Sequence, residues 1–122
     1  MKISSTLIKA GAFFAMVTGA AQALSATLET TLFNPQEKSM FPVSSVLITG
    51  PKEAILVDAQ FQRNDAQSVV ELIKKSGKTL TTIYISHGDP DYYFGLDVIT
   101  AAYPNAKVVS TANTQAYIKA SM

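Results

Sequence analysis

Residues 83–95 read Ile83-Tyr84-Ile85-Ser86-His87-Gly88-Asp89-Pro90-Asp91-Tyr92-Tyr93-Phe94-Gly95, a β-branched and aromatic run that breaks into a polar loop. Thr82 to Ser86 has the composition of a strand. Pro90 lacks a backbone N–H and stops a central strand from continuing. The loop from His87 to Asp91 therefore stands at a strand's C-terminal end, a place where chemistry is carried on a rigid scaffold. His87 is the only histidine of the chain, and two carboxylates, Asp89 and Asp91, follow it within four residues. Imidazole nitrogen and carboxylate oxygen together suit zinc, manganese or iron. In an extended segment residues i, i+2 and i+4 share a side, and Pro90 favours an extended backbone at Asp89. His87, Asp89 and Asp91 are thus candidate ligands of one ion. The plainer alternative is an Asp-Pro-Asp turn whose side chains bond the local backbone and cap the next helix. The segment does not read as a calcium loop, which requires further oxygen ligands, a glycine and a distal glutamate at fixed spacing.

Working back from this loop, Val43 to Ile48 and Ala54 to Val57 are two short β-rich runs separated by a Gly50-Pro51 turn, which predicts a strand pair. Ala66, Val69, Val70 and Ile73 fall at i, i+3, i+4 and i+7, the spacing of one apolar helical face. Asn64 is the expected N-cap, with Gln67 as its capping-box partner. Lys74 and Lys75 suit the negative end of the helix dipole, and Gly77 can take the left-handed conformation that ends it. Working forward, Leu96, Ile99 and Ala102 predict a short helix stopped before Pro104, Lys107 to Val109 a strand, and Asn113 to Ala120 a last helix beginning near Thr111. The expected order is β-β-α-β-α-β-α, an α/β class with a mixed sheet and covering helices. Residues 24–42, with Pro35 and Pro42 around a polar stretch, form a leading segment expected to pair at the sheet edge.

The series Ile55-Leu56-Val57-Asp58-Ala59, a helix, and then Ile83 to Gly95 resembles the metallo-β-lactamase superfamily. There a strand ending in Asp precedes a helix, and the next strand ends in His-x-His-x-Asp-His followed shortly by Gly. The resemblance runs from about Val43 to the C-terminus. It implies that residues 24–122 are the first half of an αββα sandwich, a partial domain. It further implies that His87 matches the first metal-binding histidine, that Asp91 matches the aspartate that binds a second metal and orients or deprotonates the nucleophilic water, and that Asp58 matches a buried acid near the site. A strand-ending acid such as Asp58 is equally well a turn former. Two positions depart from the motif: Asp89 stands in place of the second histidine and Tyr92 in place of the third. A carboxylate at Asp89 keeps a harder, negative ligand, whereas a tyrosine protonated at neutral pH is a poor one. One divalent ion is therefore expected rather than two, with zinc implied by the resemblance and manganese or iron as alternatives. The family's remaining ligands come from the second half of its domain. Tyr92, Tyr93 and Phe94 either wall a pocket for an apolar or amphipathic ester, lactone or amide or serve as core under the loop.

At the other end, Lys2 and Lys9 precede an apolar run from Ala10 to Ala21 and then Ala21-Gln22-Ala23, the three-part layout of a secretory signal. The run is shorter than the ~20 apolar residues of a membrane-spanning helix, although an uncleaved short anchor is an alternative. Cleavage after Ala23 leaves 99 residues, removes two lysines and no acids, and moves the formal charge from +1 to −1. Periplasmic or secreted location, no nucleic-acid partner and no stable membrane span after cleavage are the expectations. The chain has no cysteine, which excludes disulfides, thiolate nucleophiles and Cys-type zinc sites. Two functions follow: an exported metal-dependent hydrolase acting on a small-molecule substrate by water attack, with Asp91 as base, or a catalytically inert exported binding module or remnant. Half of a layered α/β domain leaves a sheet edge unpaired, so self-association through that edge is also expected.

Overall fold

The computed structural model describes residues 27–122. The expected signal segment 1–23 lies outside them. The elements are β1 (Glu29–Phe33), β2 (Ser45–Thr49), β3 (Glu53–Val57), α1 (Arg63–Ser76), β4 (Thr79–Tyr84), α2 (Leu96–Ala102), β5 (Lys107–Val109) and α3 (Ala112–Ser121). Short 3-10 turns stand at Gln36–Lys38 and Pro90–Tyr92. The strands form one five-stranded sheet in the order β1-β2-β3-β4-β5. Pairing is antiparallel from β1 to β3 and parallel from β3 to β5. The mixed α/β sheet is thus as expected, and the leading segment does pair at an edge, as β1.

Alternation along the strands decides which face is covered. Leu47, Ala54, Leu56, Leu80 and Ile83 point to one side and are buried against Ala66, Val69, Val70 and Ile73 of α1 and Ile99 of α2. Fully burying such aliphatic side chains stabilises by about 1.5–3 kcal/mol each, so this single layer of contacts is the core. The apolar spacing read from α1 is the buried face observed. Its C-terminus closes as expected: Gly77 sits at φ 69°, a left-handed conformation open to glycine, and its N–H donates to the Lys74 carbonyl.

The N-terminus of α1 differs from expectation. The cap is Gln62, and Asn64 lies inside the helix without a capping bond. The reason is tertiary. The Gln62 Oε1 accepts from Met40 N–H and from Ser39 Oγ, and its Nε2 donates to Asn64 Oδ1, so the chain is fixed in an extended conformation at 62. Gln67, the expected capping-box partner, donates instead to Glu71 one turn on. β4 begins earlier than its β-rich composition suggested, at Thr79, where the ladder with β3 starts. The last helix starts where Thr111 predicted: its Oγ1 accepts from Thr114 N–H.

Candidate functional site

Parallel β3 and β4 end side by side, and the two segments that leave them meet. Asp58 N–H extends the ladder to the Tyr84 carbonyl at 2.8 Å. The residue is 5% exposed, and its carboxylate takes two bonds from one residue: Oδ1 accepts from Ser86 N–H at 2.8 Å and Oδ2 from Ser86 Oγ. Ser86 immediately precedes His87, so Asp58 fixes the point at which the motif loop leaves the sheet. Further along, Ala59 N–H donates to the Tyr92 carbonyl and Gly95 N–H to the Gln60 carbonyl, both at 2.8 Å. The loop 86–95 is therefore tied at its start, middle and end to the three residues 58–60. Asp58 is buried at a turn in the chain, and both its carboxylate oxygens accept from the loop.

The strap that does this is strained. Asp58 and Gln60 have φ of 65° and 70°, the left-handed region that non-glycine residues adopt at a cost of about 1–3 kcal/mol each. The offsetting bonds are buried. Ser45 Oγ donates to the Asp58 carbonyl, and the fully buried Gln60 donates through Nε2 to the Val43 carbonyl and to Ser45 Oγ. Ser45, Gln60 and Ser86 were not read from the sequence. Gly95 was noted only for its place in the motif, and its physical requirement is close approach: an added Cβ would overlap the Ala59 carbonyl oxygen and come within 2.8 Å of Ala66 Cβ.

The candidate ligands are not brought together. The backbone is extended at Asp89, with φ −76° and ψ 142°, but Pro90–Tyr92 then forms a 3-10 turn. The i, i+2, i+4 argument therefore fails after Asp89, because a turn rotates Asp91 off the shared side. His87 and Asp89 are exposed and Asp91 is half-buried. Among the described residues no group of three His, Cys, Asp or Glu side chains is placed to hold a metal. Residues 27–122 alone do not fit the divalent ion that the resemblance implies.

Asp91 and Tyr92, with Asp58, instead line a cavity of about 480 Å³ whose other walls are Phe41, Pro42, Val43 and Ser44 from the segment before β2. Tyr92 also packs against His87, with ring centroids 4.3 Å apart and ring planes tilted by 33°. The aromatic cluster divides. Tyr92 and Tyr93 are half-buried against the core, while Phe94 is 53% exposed and stacks on Phe61 at 5.3 Å. Phe61 in turn meets Phe41 edge-on at 4.9 Å, giving an aromatic row beside the cavity mouth. On the far side of the loop, Tyr117 of α3 packs directly on Gly88. No helix of the described residues is long and apolar enough to cross a membrane.

Comparison with known proteins places this arrangement. The sequence pattern of the metallo-beta-lactamase superfamily matches residues 39–121. An uncharacterized protein of Bacillus subtilis (strain 168), YobT, is 28% identical over 71 residues, which is 58% of this chain and 30% of that one. Among solved structures, a metallo-beta-lactamase from Hirschia baltica superposes with TM-score 0.59 at 14% identity, over 80% of this chain and 44% of that one. The metallo-beta-lactamase DIM-1, solved after exposure to ceftazidime, gives 0.58 at 18% identity, covering 77% and 42%. FIM-1 from Pseudomonas aeruginosa, in its mono-zinc form, gives 0.57 at 13% identity, covering 80% and 42%. At these identities the likeness to solved structures is one of fold, and the chain spans less than half the length of each. The sheet order, the loop after β4 and the match over residues 39–121 together make this chain a member of the metallo-beta-lactamase superfamily, of whose domain it forms the first part.

Proposed function

We propose that this chain belongs to an exported, metal-dependent hydrolase that acts by water attack on an apolar or amphipathic ester, lactone or amide. The observation that carries the reading is the cavity of about 480 Å³ that Asp91 lines together with Phe41, Pro42 and Val43. In this reading Asp91 orients a water and takes its proton. The apolar wall and the Phe41–Phe61–Phe94 row hold the substrate's apolar part, and Asp58 acts through Ser86 to fix the loop. In this reading His87, Asp89 and Asp91 are the donors residues 27–122 offer to a divalent ion, zinc by family and manganese or iron by the harder ligand at Asp89. They make an incomplete set, so in this reading the ion is held weakly, with water in its open positions. Export rests on the three-part pattern of residues 1–23.

A second reading is an inert exported binding module. What favours it is Tyr92 packed against His87 where the family places a histidine, together with the lack of a three-donor group among the described residues. One experiment separates the two. The protein is purified after expression of the whole 122-residue chain, its mass is measured, and its zinc, manganese and iron are counted beside His87→Ala. Aryl-ester and lactone hydrolysis is assayed on both. The hydrolase reading expects a mass set by cleavage after Ala23, about one ion per chain lost in the variant, and turnover lost in Asp91→Asn. No retained ion and no turnover in either protein sinks it and leaves the inert module.

A further inference from the structure

The lip of the Asp91 cavity, residues 39–44, is gripped by two neighbouring side chains at the start of α1. Phe61 meets the Phe41 ring edge-on at 4.9 Å. Gln62 holds the backbone one residue earlier: its Oε1 accepts from Met40 N–H at 2.5 Å. Ser39 Oγ lies 3.0 Å from the same Oε1 and 3.2 Å from the Phe41 carbonyl oxygen, and shares its one proton between them. The far end of the lip is tied by Asn34, whose Nδ2 donates to the Pro42 carbonyl at 3.3 Å and to Ser44 Oγ at 2.9 Å. Between these two ties stand Phe41, Pro42 and Val43, the apolar lining of the cavity that Asp58 and Asp91 share. The helix itself does not use the Gln62 side chain. Gln62 precedes the first turn of α1 at φ −84° and ψ 145° and makes no bond to the helix's own N–H groups, whereas serine, threonine, aspartate or asparagine would cap from there. Its Nε2 donates to Asn64 Oδ1 at 3.2 Å, which leaves the amide oxygen directed at the lip.

We propose that Gln62 is a specificity-determining positioning residue, which fastens the lip so that its apolar wall stands preformed for the flat aromatic group of an aryl-bearing ester or amide. A loop that walls a cavity contributes to binding only as far as it is ordered beforehand, because ordering it on arrival of the ligand is subtracted from the affinity. Gln62 supplies that order at the one point where the lip crosses the start of α1. The choice of an aromatic group follows from what the lip adjoins. Phe41 stands edge-on to Phe61, and Phe61 stacks on Phe94 at 5.3 Å. A ring added to such a row gains edge or offset contacts that an alkyl chain lacks. Gln62 touches neither Asp91 nor the candidate ion ligands in this arrangement; it acts through Met40 and Ser39. The inference deepens the hydrolase reading and rests on it for the role of the cavity, so the test carries one arm that needs no turnover.

Two variants expressed from the full chain are compared with the parent, with circular dichroism to verify folding. Gln62→Glu keeps an acceptor for Met40 N–H and Ser39 Oγ. Gln62→Ser removes it and supplies a side chain that caps α1, so the helix is retained while the lip is released. Amide exchange at Met40 is expected to speed about tenfold in Gln62→Ser and to stay within about twofold of the parent in Gln62→Glu. The binding arm titrates 2-phenylethanol, an aryl probe with no scissile bond, by NMR. Its affinity is expected to fall about tenfold in Gln62→Ser, the equivalent of ordering one backbone residue, and to be restored in Gln62→Glu. In the turnover arm the KM for methyl phenylacetate rises by that factor relative to the KM for methyl acetate, the change falling on KM rather than kcat. Met40 exchange that is alike in all three proteins overturns the proposal, because the lip is then not held by Gln62. An affinity for 2-phenylethanol that is absent in the parent or unchanged in Gln62→Ser overturns it equally. Absence of turnover throughout, with the exchange and binding shifts present, sinks the hydrolase reading and leaves the positioning role of Gln62 standing.

Discussion

Gly95→Ala tests the claim that the motif loop is set by its close approach to residues 58–60. Gly95 has φ −80°, which alanine adopts freely, so the cost is one of space alone. The added methyl would overlap the Ala59 carbonyl oxygen and come within 2.8 Å of Ala66 Cβ and 3.0 Å of the Gln60 carbonyl oxygen. Two of the three are backbone atoms of a strap held by buried bonds, so neither can swing aside. Overpacking of this kind costs about 1–3 kcal/mol. Displacing the loop also weakens the bond from Gly95 N–H to the Gln60 carbonyl, worth about 0.5–1.5 kcal/mol. Alanine returns about 0.4–1 kcal/mol by restricting the unfolded chain. The net expectation is a loss of about 2–3 kcal/mol. At about 4–8 °C per kcal/mol for a domain of this size, the melting temperature falls by roughly 10–20 °C. Thermal and urea melts followed by circular dichroism measure it. Gly50→Ala is the control, since its Cβ would meet Leu28 Cδ2 at 3.5 Å, an ordinary contact, and a change under about 1 kcal/mol is expected. A Gly95→Ala protein melting within about 3 °C of the parent would refute the packing argument for the strap.

Asp58→Ala removes both bonds to Ser86 and is expected to cost about 2–4 kcal/mol, given about 1.5–3 for each hydrogen bond to a charged group less the relief of desolvation. Amide exchange should speed at Ser86 before it speeds in β4, and unchanged protection at Ser86 would contradict the clamp. Gly88→Ala is expected to cost less than Gly95→Ala, because the atoms its Cβ meets belong to Tyr117, a side chain 59% exposed that can swing outward. The cost should shrink in the double variant with Tyr117→Ala, which removes the two nearest atoms and leaves only Cβ at 3.1 Å, and an undiminished cost there would show that the Tyr117 ring is not the obstacle. The Arg63 guanidinium bonds Asp97 and holds its carboxyl below the ordinary 3.8, so whatever the pair contributes is present above that value and lost as pH falls through the lowered one. In Arg63→Gln the Asp97 titration followed by carbon NMR should rise towards 3.8, while the melting temperature at neutral pH stays within error because the pair is exposed. An unmoved titration would remove the ion pair between α1 and α2.

The amino-acid sequence by itself determined what depends on neighbours a few residues apart. The period of Ala66, Val69, Val70 and Ile73 fixed the buried face of α1, Gly77 its end and Thr111 the start of α3, whereas β4 ends at Tyr84, two residues before the expected Ser86. The His87 to Asp91 series was legible as a loop at a strand's end, and its likeness to a family motif was legible as well. Tertiary structure decided what depends on segments brought together from a distance. The Asp58 carboxylate is taken by Ser86, 28 residues away, and the cap of α1 moves to Gln62 because Met40, 22 residues back, donates to it. Gln60 and Ser45 matter only because strand closure buries them beside each other. The aromatic row likewise joins Phe41, Phe61 and Phe94 from three segments, a proximity no local pattern encodes. Convergence of His87, Asp89 and Asp91 on one ion was a local inference about an extended backbone, and it failed where Pro90 opened a turn. Local propensity sets which elements form. The partners of their buried polar groups are set only when β3 and β4 lie side by side, since such groups take their donors and acceptors from whatever closure places next to them.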